Sequence, residues 1–131
     1  KVEAVEEFMT RQNANSLVGD CDIVLDALDN IPSRKVLAAA CSEAGIPYVY
    51  GAIAGWVAQA GISMPEDDLV EKLFPPHVGI LDKSVLSFTP ALCASMQSAL
   101  CVKLLVGRAV QTGTVYYADL LNQEFETIPM V

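Results

Sequence analysis

The sequence predicts an α/β domain whose sheet combines parallel strands with an antiparallel C-terminal hairpin. Three stretches carry that prediction: Asp22 to Gly51 reads as strand, acidic turn, helix and strand; Thr89 to Gly107 reads as a long apolar helix; and the tail TVYYADLLNQEFETIPM alternates on both sides of Leu121-Asn122-Gln123. A strand–helix–strand unit is a right-handed crossover between parallel strands. Alternating runs either side of a short polar turn make a hairpin. Together they give a mixed sheet, which is common in α/β enzymes.

Each element follows from its residues. Lys1 to Arg11 places Val2, Val5, Phe8 and Met9 on one helical face with Glu3, Glu6 and Glu7 largely opposite, the pattern of an amphipathic helix lying on a sheet. Asn15 to Val18 has room for one more turn. Ile23-Val24-Leu25 is a continuous apolar run ahead of an acidic turn, and reads as a strand buried on both faces. Pro32 to Ala44 repeats small apolar residues at helical spacing. Pro32 suits a first turn, where its missing N–H would be unpaired anyway, and Gly45 suits the left-handed cap at the other end. Tyr48-Val49-Tyr50 forms the second strand, Ala52 to Gly55 a glycine-bearing loop, and Trp56 to Ser63 a further strand. Met64 to Ser87, broken by Pro65, Pro75, Pro76 and Gly79, reads as a long connection. Thr89 and Pro90 are placed as N-cap and first residue of the strongest helix, which Gly107 ends. The body of that helix carries only Ser95, Gln97, Ser98 and Lys103 as polar groups. It is therefore expected to be covered on more than one side, by the sheet and by either its own chain or a second subunit.

Composition narrows the class. A length of 131 residues suits one domain with its own core, and 53% hydrophobic against 18% charged residues excludes a disordered chain. A net charge of −8 repels phosphate backbones and anionic membranes, so neither nucleic acid nor membrane is an expected partner. The uncharged run Ala91 to Val102 is shorter than the roughly 20 residues that span a bilayer, and KVEAVEEFMTR lacks the apolar centre of a signal peptide. A soluble, cytoplasmic protein is expected, and a start on Lys1 fits a processed or trimmed chain. Cysteines 21, 41, 93 and 101 form no C-x-x-C pair, and the single histidine, His77, stands beside two prolines. Neither a zinc site nor a disulfide framework is expected; the cysteines read as small buried hydrophobes and His77 as a loop residue.

In open α/β sheets ligands bind beyond the carboxyl ends of the strands, which is where the turn DALDN lies. Asp29 and Asn30 are the first candidates there, although either type also serves as a helix cap. No G-x-G-x-x-G, G-x-x-x-x-G-K-[ST] or G-x-S-x-G occurs, so the chain contains no recognisable phosphate cradle or nucleophile elbow of its own.

Four segments in order resemble the second half of the ThiF/MoeB/HesA family of ubiquitin-activating-enzyme-like adenylyltransferases. DIVLDALDNIPSR (22–34) is similar to the family's D-x-x-D-N-x-x-x-R, and PYVYGAIAGWVAQ (47–59) to its G-A-x-x-G-x-x-x-Q. SMQSALCVKLLVG (95–107) is similar to its S-x-Q-x-x-x-x-x-K-L-L-x-G helix, and YYADLLNQEFETI (116–128) to its closing hairpin. The resemblance implies a Rossmann-like three-layer domain, with residues 1–131 as a single partial adenylation domain. It implies ATP-dependent adenylation of the C-terminal glycine carboxylate of a ubiquitin-like sulfur-carrier protein in a thiamine, molybdenum or tungsten cofactor route. ATP and Mg²⁺ are the implied cofactors and a homodimer through the Thr89 to Gly107 helix the implied assembly. By position Asp29 matches the aspartate that holds Mg²⁺, Asn30 its neighbour in the nucleotide site, Arg34 a residue able to position the anions, and Lys1 a phosphate-contacting lysine.

The departures from the family are equally specific. Its first half, with the glycine-rich nucleotide loop and an arginine given across the dimer, is absent. The stretch between Arg11 and Asp22 is short for the strand placed there. Zinc-binding C-x-x-C pairs are missing near Met64 to Pro75 and beyond Val131, and the reactive cysteine of the crossover loop falls near Ile80. Adenylation does not require that cysteine, since the carboxylate is itself the nucleophile. The alternatives are a non-catalytic scaffold or dimerisation relative, and a relative that activates a carboxylate on a modified tRNA base for dehydration.

Overall fold

The computed structural model describes residues 1–76 and 84–130. Five strands form one mixed sheet: β1 (Val24–Leu25), β2 (Tyr48–Ala54), β3 (Val57–Ser63), β4 (Thr114–Asp119) and β5 (Glu124–Pro129), lying side by side in chain order. The β1–β2 pair is parallel, and the other three pairs are antiparallel. The helices are α1 (Ala14–Val18), α2 (Ile31–Ala44), α3 (Leu69–Leu73) and α4 (Phe88–Leu105). His77 and Ile80 lie outside the described residues.

Alternation along β2 divides the core into two layers. Tyr48 and Tyr50 pack with Leu37 and Cys41 of α2 and Leu69 and Val70 of α3. Val49 points the other way and packs with Ala60, Ile62 and Leu100 of α4. Helices thus cover both faces, giving the expected three-layer α/β arrangement. The α2 helix begins on Asn30, whose Oδ1 accepts the Ser33 N–H at 2.9 Å, with Pro32 in its first turn. It ends with Gly45 N–H on Ser42 O and Ile46 N–H on Cys41 O, a Schellman closure. The same pattern ends α4, where Arg108 N–H meets Lys103 O at 2.8 Å and Gly107 N–H meets Leu104 O. These local signals work as the sequence predicts.

Four expectations are corrected. First, residues 1–10 form no helix, and Val2 (95% exposed) and Phe8 (84%) bury nothing. A helix of under a dozen residues is marginal until a surface takes up its apolar stripe, and here only Met9 packs against the core. Second, β1 has two residues and Leu25 is exposed: at the edge of the sheet it has one neighbour, so it is not buried on both faces. Third, Ala52 to Ala54 belong to β2, and the loop shrinks to the two residues Gly55 and Trp56 between the paired Ala54 and Val57. Gly55 has φ 55°, which suits the first central position of a two-residue hairpin turn. Fourth, α4 starts at Phe88, and Thr89 is no cap; it is fully buried and its Oγ1 donates to Gly55 O at 2.9 Å, tying the helix to the hairpin. Of the two covers expected for the far side of α4, the described residues of its own chain leave Val102, Leu105 and Val106 exposed, and a second subunit is the other. By length and composition α4 could cross a membrane, yet its Cys93, Gln97 and Leu100 stripe is buried in this domain.

All four thiols are free: Cys41 and Cys93 are buried as expected, Cys101 is half-buried and Cys21 is exposed. Burial pushes the Cys41 thiol up to about 11, and the neighbouring Cys21 adds to this. Since only thiolate reacts, native protein at pH 8 should titrate Cys21 rapidly with a disulfide reagent. Cys41 and Cys93 should become countable only in guanidinium, which a two-condition thiol assay checks.

Candidate functional site

Strand β1 ends at Leu25, the Asp26 N–H makes one more rung to Val49 O at 2.9 Å, and the chain then turns toward α2. Asp26 (2% exposed) anchors that turn from below. Its Oδ1 accepts the Leu28 N–H at 2.8 Å and its Oδ2 accepts the Tyr48 hydroxyl at 2.7 Å. Arg34, also buried, brings Nε to 3.1 Å from Asp26 Oδ2, and its Nη2 donates to Leu28 O at 2.5 Å. The Nε–H is not aimed at the carboxylate oxygen, so this contact is an ion pair by distance without a hydrogen bond. The guanidinium lies over the rings of Tyr50 (5.6 Å) and Phe74 (5.9 Å), a cation–π arrangement. Burial pushes the Asp26 carboxyl above the usual carboxylate range, with the Tyr48 hydroxyl and Arg34 pulling the other way. It also pushes the Tyr48 and Tyr50 phenols upward, so both stay protonated.

The opposite face of the sheet supplies Gln97, whose Nε2 donates to Asp26 O at 2.7 Å and to Val49 O at 3.2 Å. Held from both sides, the turn carries Asp29 and Asn30 at the surface, where both are exposed. Asn30 Nδ2 donates to Asp29 Oδ1 at 3.0 Å while its Oδ1 caps α2, so one side chain both starts the helix and orients the carboxylate. Asn30 is thus the helix cap, one of the two roles the sequence offered for this residue pair.

The predicted site residues therefore separate by depth. Asp29 and Asn30 come together beyond the carboxyl end of β1, Arg34 lies beneath them in the core, and Lys1 is exposed on the N-terminal segment with its Nζ 3.7 Å from Glu3. Asp26, Tyr48 and Gln97 were not singled out as site residues in the sequence. Asp26 stands in the D-x-x-D spacing and Gln97 is an isolated amide in an apolar helix, so both left a signal; Tyr48 left none. Two cavities of about 270 and 240 Å³ flank α2 near α3 and α1, and Asp29 lines neither. Among the described residues no three His, Cys, Asp or Glu gather to hold a metal by themselves. One carboxylate beside an amide fits Mg²⁺ instead, which commonly takes one or two protein carboxylates and completes its shell with water and substrate phosphates.

A three-layer sheet with helices on both faces, and an acid raised on the turn past its parallel strand, define a Rossmann-like α/β domain. The ThiF family model matches residues 1–131, and the chain belongs to the ThiF family. It is 34% identical over 136 residues to the SAMP-activating enzyme E1 of Haloferax volcanii, covering 98% of this chain and 50% of that protein. It is 30% identical over 119 residues to the sulfur carrier protein adenylyltransferase of Thermus thermophilus, covering 82% of this chain and 44% of that one. The chain thus spans about half the length of these curated relatives. The crystal structure of PaaA shares the fold with a TM-score of 0.67 and 13% identity, covering 93% of this chain and 46% of PaaA. That of Escherichia coli MccB with succinimide does so with a TM-score of 0.70 and 14% identity, covering 92% and 39%.

Proposed function

We propose that this chain is the carboxyl-terminal half of an ATP-dependent adenylyltransferase that acts on the C-terminal carboxylate of a ubiquitin-like sulfur-carrier protein, in the thiamine or the molybdenum or tungsten cofactor route. The observation that carries this is the exposed Asp29 carboxylate, oriented by Asn30 on a turn fixed from beneath. The names of its curated relatives supply the class of reaction and of carrier. A carrier carboxylate oxygen attacks the α-phosphorus of ATP, the bond to the β-phosphate bridging oxygen breaks, and pyrophosphate leaves. Carboxylate and triphosphate repel each other; Asp29, with Asn30 beside it, would hold Mg²⁺, which would supply neutralising charge there.

Asn30 holds the Asp29 oxygens in place, and Arg34 acts as a positioning residue through Asp26 and Leu28 rather than by touching phosphate. Lys1 brings a cation toward the phosphates from the N-terminal segment. The glycine-rich nucleotide loop comes from residues outside this span. The free thiols support a cytoplasmic setting. Full-length parent protein should catalyse Mg²⁺-dependent ATP–pyrophosphate exchange in the presence of its carrier. Absence of nucleotide binding at millimolar ATP would leave a scaffold.

The exposed apolar end of α4 supports a homodimer. Val102, Leu105 and Val106 stand in solvent at one end of the helix, and Phe88 at the other packs on Trp56 with ring centres 5.2 Å apart while both stay partly exposed. Such a stripe is stable in water when a like stripe covers it. Sedimentation of the full-length protein should give a dimer. The paired substitutions Val102→Asp and Leu105→Asp should shift it to monomer with the Tm of the remaining fold retained.

A further inference from the structure

We infer that Gln97, carried by α4 on the far face of the sheet, is a positioning residue for the Asp29 turn. The parallel ladder explains why a side chain is needed there. Val24 N–H bonds to Pro47 O and Asp26 N–H to Val49 O, so in register the next rung would join Gly51 N–H to Asp26 O. Asp26 O is met instead by Gln97 Nε2 at 2.7 Å. The amide replaces a backbone rung at the point where β1 peels away.

Its orientation is fixed by chemistry. Both acceptors, Asp26 O and Val49 O, are carbonyl oxygens, so only the NH₂ end can face them, and its two hydrogens match the two acceptors. The Oε1 end faces the Cys93 thiol at 3.9 Å. Room for the carboxamide exists because residue 51 is glycine: a Cβ there would fall 2.3–2.6 Å from the Gln97 side-chain atoms. Asp26 is therefore gripped at its carbonyl from the α4 side, and at its carboxyl from the α2 side by Tyr48 and Arg34. With both ends of that residue fixed, the peptide that follows it has one orientation, and Asp29 three residues on has one place. A buried amide with two strong acceptors holds its neighbours more firmly than packing alone, because releasing it leaves the Gln97 NH₂ and Asp26 O unpaired, while Val49 O keeps the Asp26 N–H.

The catalytic consequence rests on the proposed adenylation; the structural part does not. Gln97→Met keeps the length and removes the donors, while Gly51→Ala reaches the same bond from the strand side by pushing the carboxamide away. In the full-length protein, each should speed hydrogen exchange of the Leu28 and Ser33 amides about tenfold, the size of one buried hydrogen bond lost. Amides of the β3–β4 ladder should stay unchanged. Each should also raise the Mg²⁺ concentration for half-maximal pyrophosphate exchange about tenfold, more than it lowers the saturated rate. Leu100→Ala, which opens the same helix–sheet contact without touching the amide, should lower Tm with neither change. Leu28 and Ser33 amides that exchange at the wild-type rate in Gln97→Met, or that speed up only in step with the whole sheet, overturn the inference. If Gln97→Met does not fold, Gly51→Ala decides by the same measurements. A wild-type protein without pyrophosphate exchange would sink the adenylation proposal, while the amide measurement would still decide the role of Gln97.

Discussion

Replacing Arg34 with methionine should destabilise the domain by about 3–5 kcal/mol, the usual effect of removing one partner from a buried ion pair. Methionine fills similar volume against Tyr50 and Phe74, so the loss is electrostatic: Asp26 keeps its Tyr48 and Leu28 bonds but faces no cation. The Asp26 carboxyl, already held above its ordinary value by burial, should rise further. The sign of the resulting pH dependence follows. Between the unfolded value near 3.8 and the raised native value, the native state keeps a proton that the unfolded state has released. Unfolding free energy then falls as pH climbs through that window, more steeply in Arg34→Met than in wild type. Urea melts of both proteins across the window measure the two slopes. Adding Asp26→Leu and Tyr48→Phe to Arg34→Met should restore stability and abolish the difference, since no buried charge or hydroxyl then lacks a partner.

Asp29→Ala should have the opposite profile. Because the side chain is exposed and its bond to the Asn30 amide is an exposed one, folding should change by about 1 kcal/mol or less. Pyrophosphate exchange by the full-length protein should fall by about a hundredfold to a thousandfold, the usual loss when a group that stabilises transition-state charge is removed. Asp29→Asn should lie close to Ala, since the amide keeps the shape but gives the metal no charge. An Asp29→Ala enzyme with wild-type exchange would remove the acid from the chemistry. A profile of lost stability with retained exchange would place it among the structural residues. Measuring melts and exchange on the same preparations separates these outcomes.

How much of this was legible in the sequence depended on range. The β1–turn–α2–β2 unit was readable because its instructions are local: Asn30 caps three residues ahead, Pro32 and Gly45 bracket the helix, and the acids sit where the strand stops. The β4–β5 hairpin was readable from alternation alone. The strands of the β2–β3 hairpin were readable, but the connection was read too long because Ala52, Ala54 and Gly55 resemble a loop, whereas Gly51 makes room for Gln97 of α4 and Gly55 makes a two-residue turn. The N-terminal stripe was misread because amphipathic spacing shows what a helix could bury, without showing that a surface is there to bury it. The resemblance placed Arg34 where it could position anions; on this chain its partners are Asp26, Leu28 O and two aromatic rings. Gln97 acts 71 residues away from Asp26, and Tyr48 acts 22 residues away; no local pattern encodes such pairings.

Strand β1 also has a consequence for handling the molecule. Among the described residues β1 pairs with β2 on one flank only, and the outer flank of Val24 and Leu25 presents main-chain donors and acceptors beside an exposed leucine. Such a margin accepts any extended peptide that offers matching groups. Residues 1–131 produced by themselves should zip together along it at high concentration, and a longer polypeptide that lays its own strand there should stay dispersed.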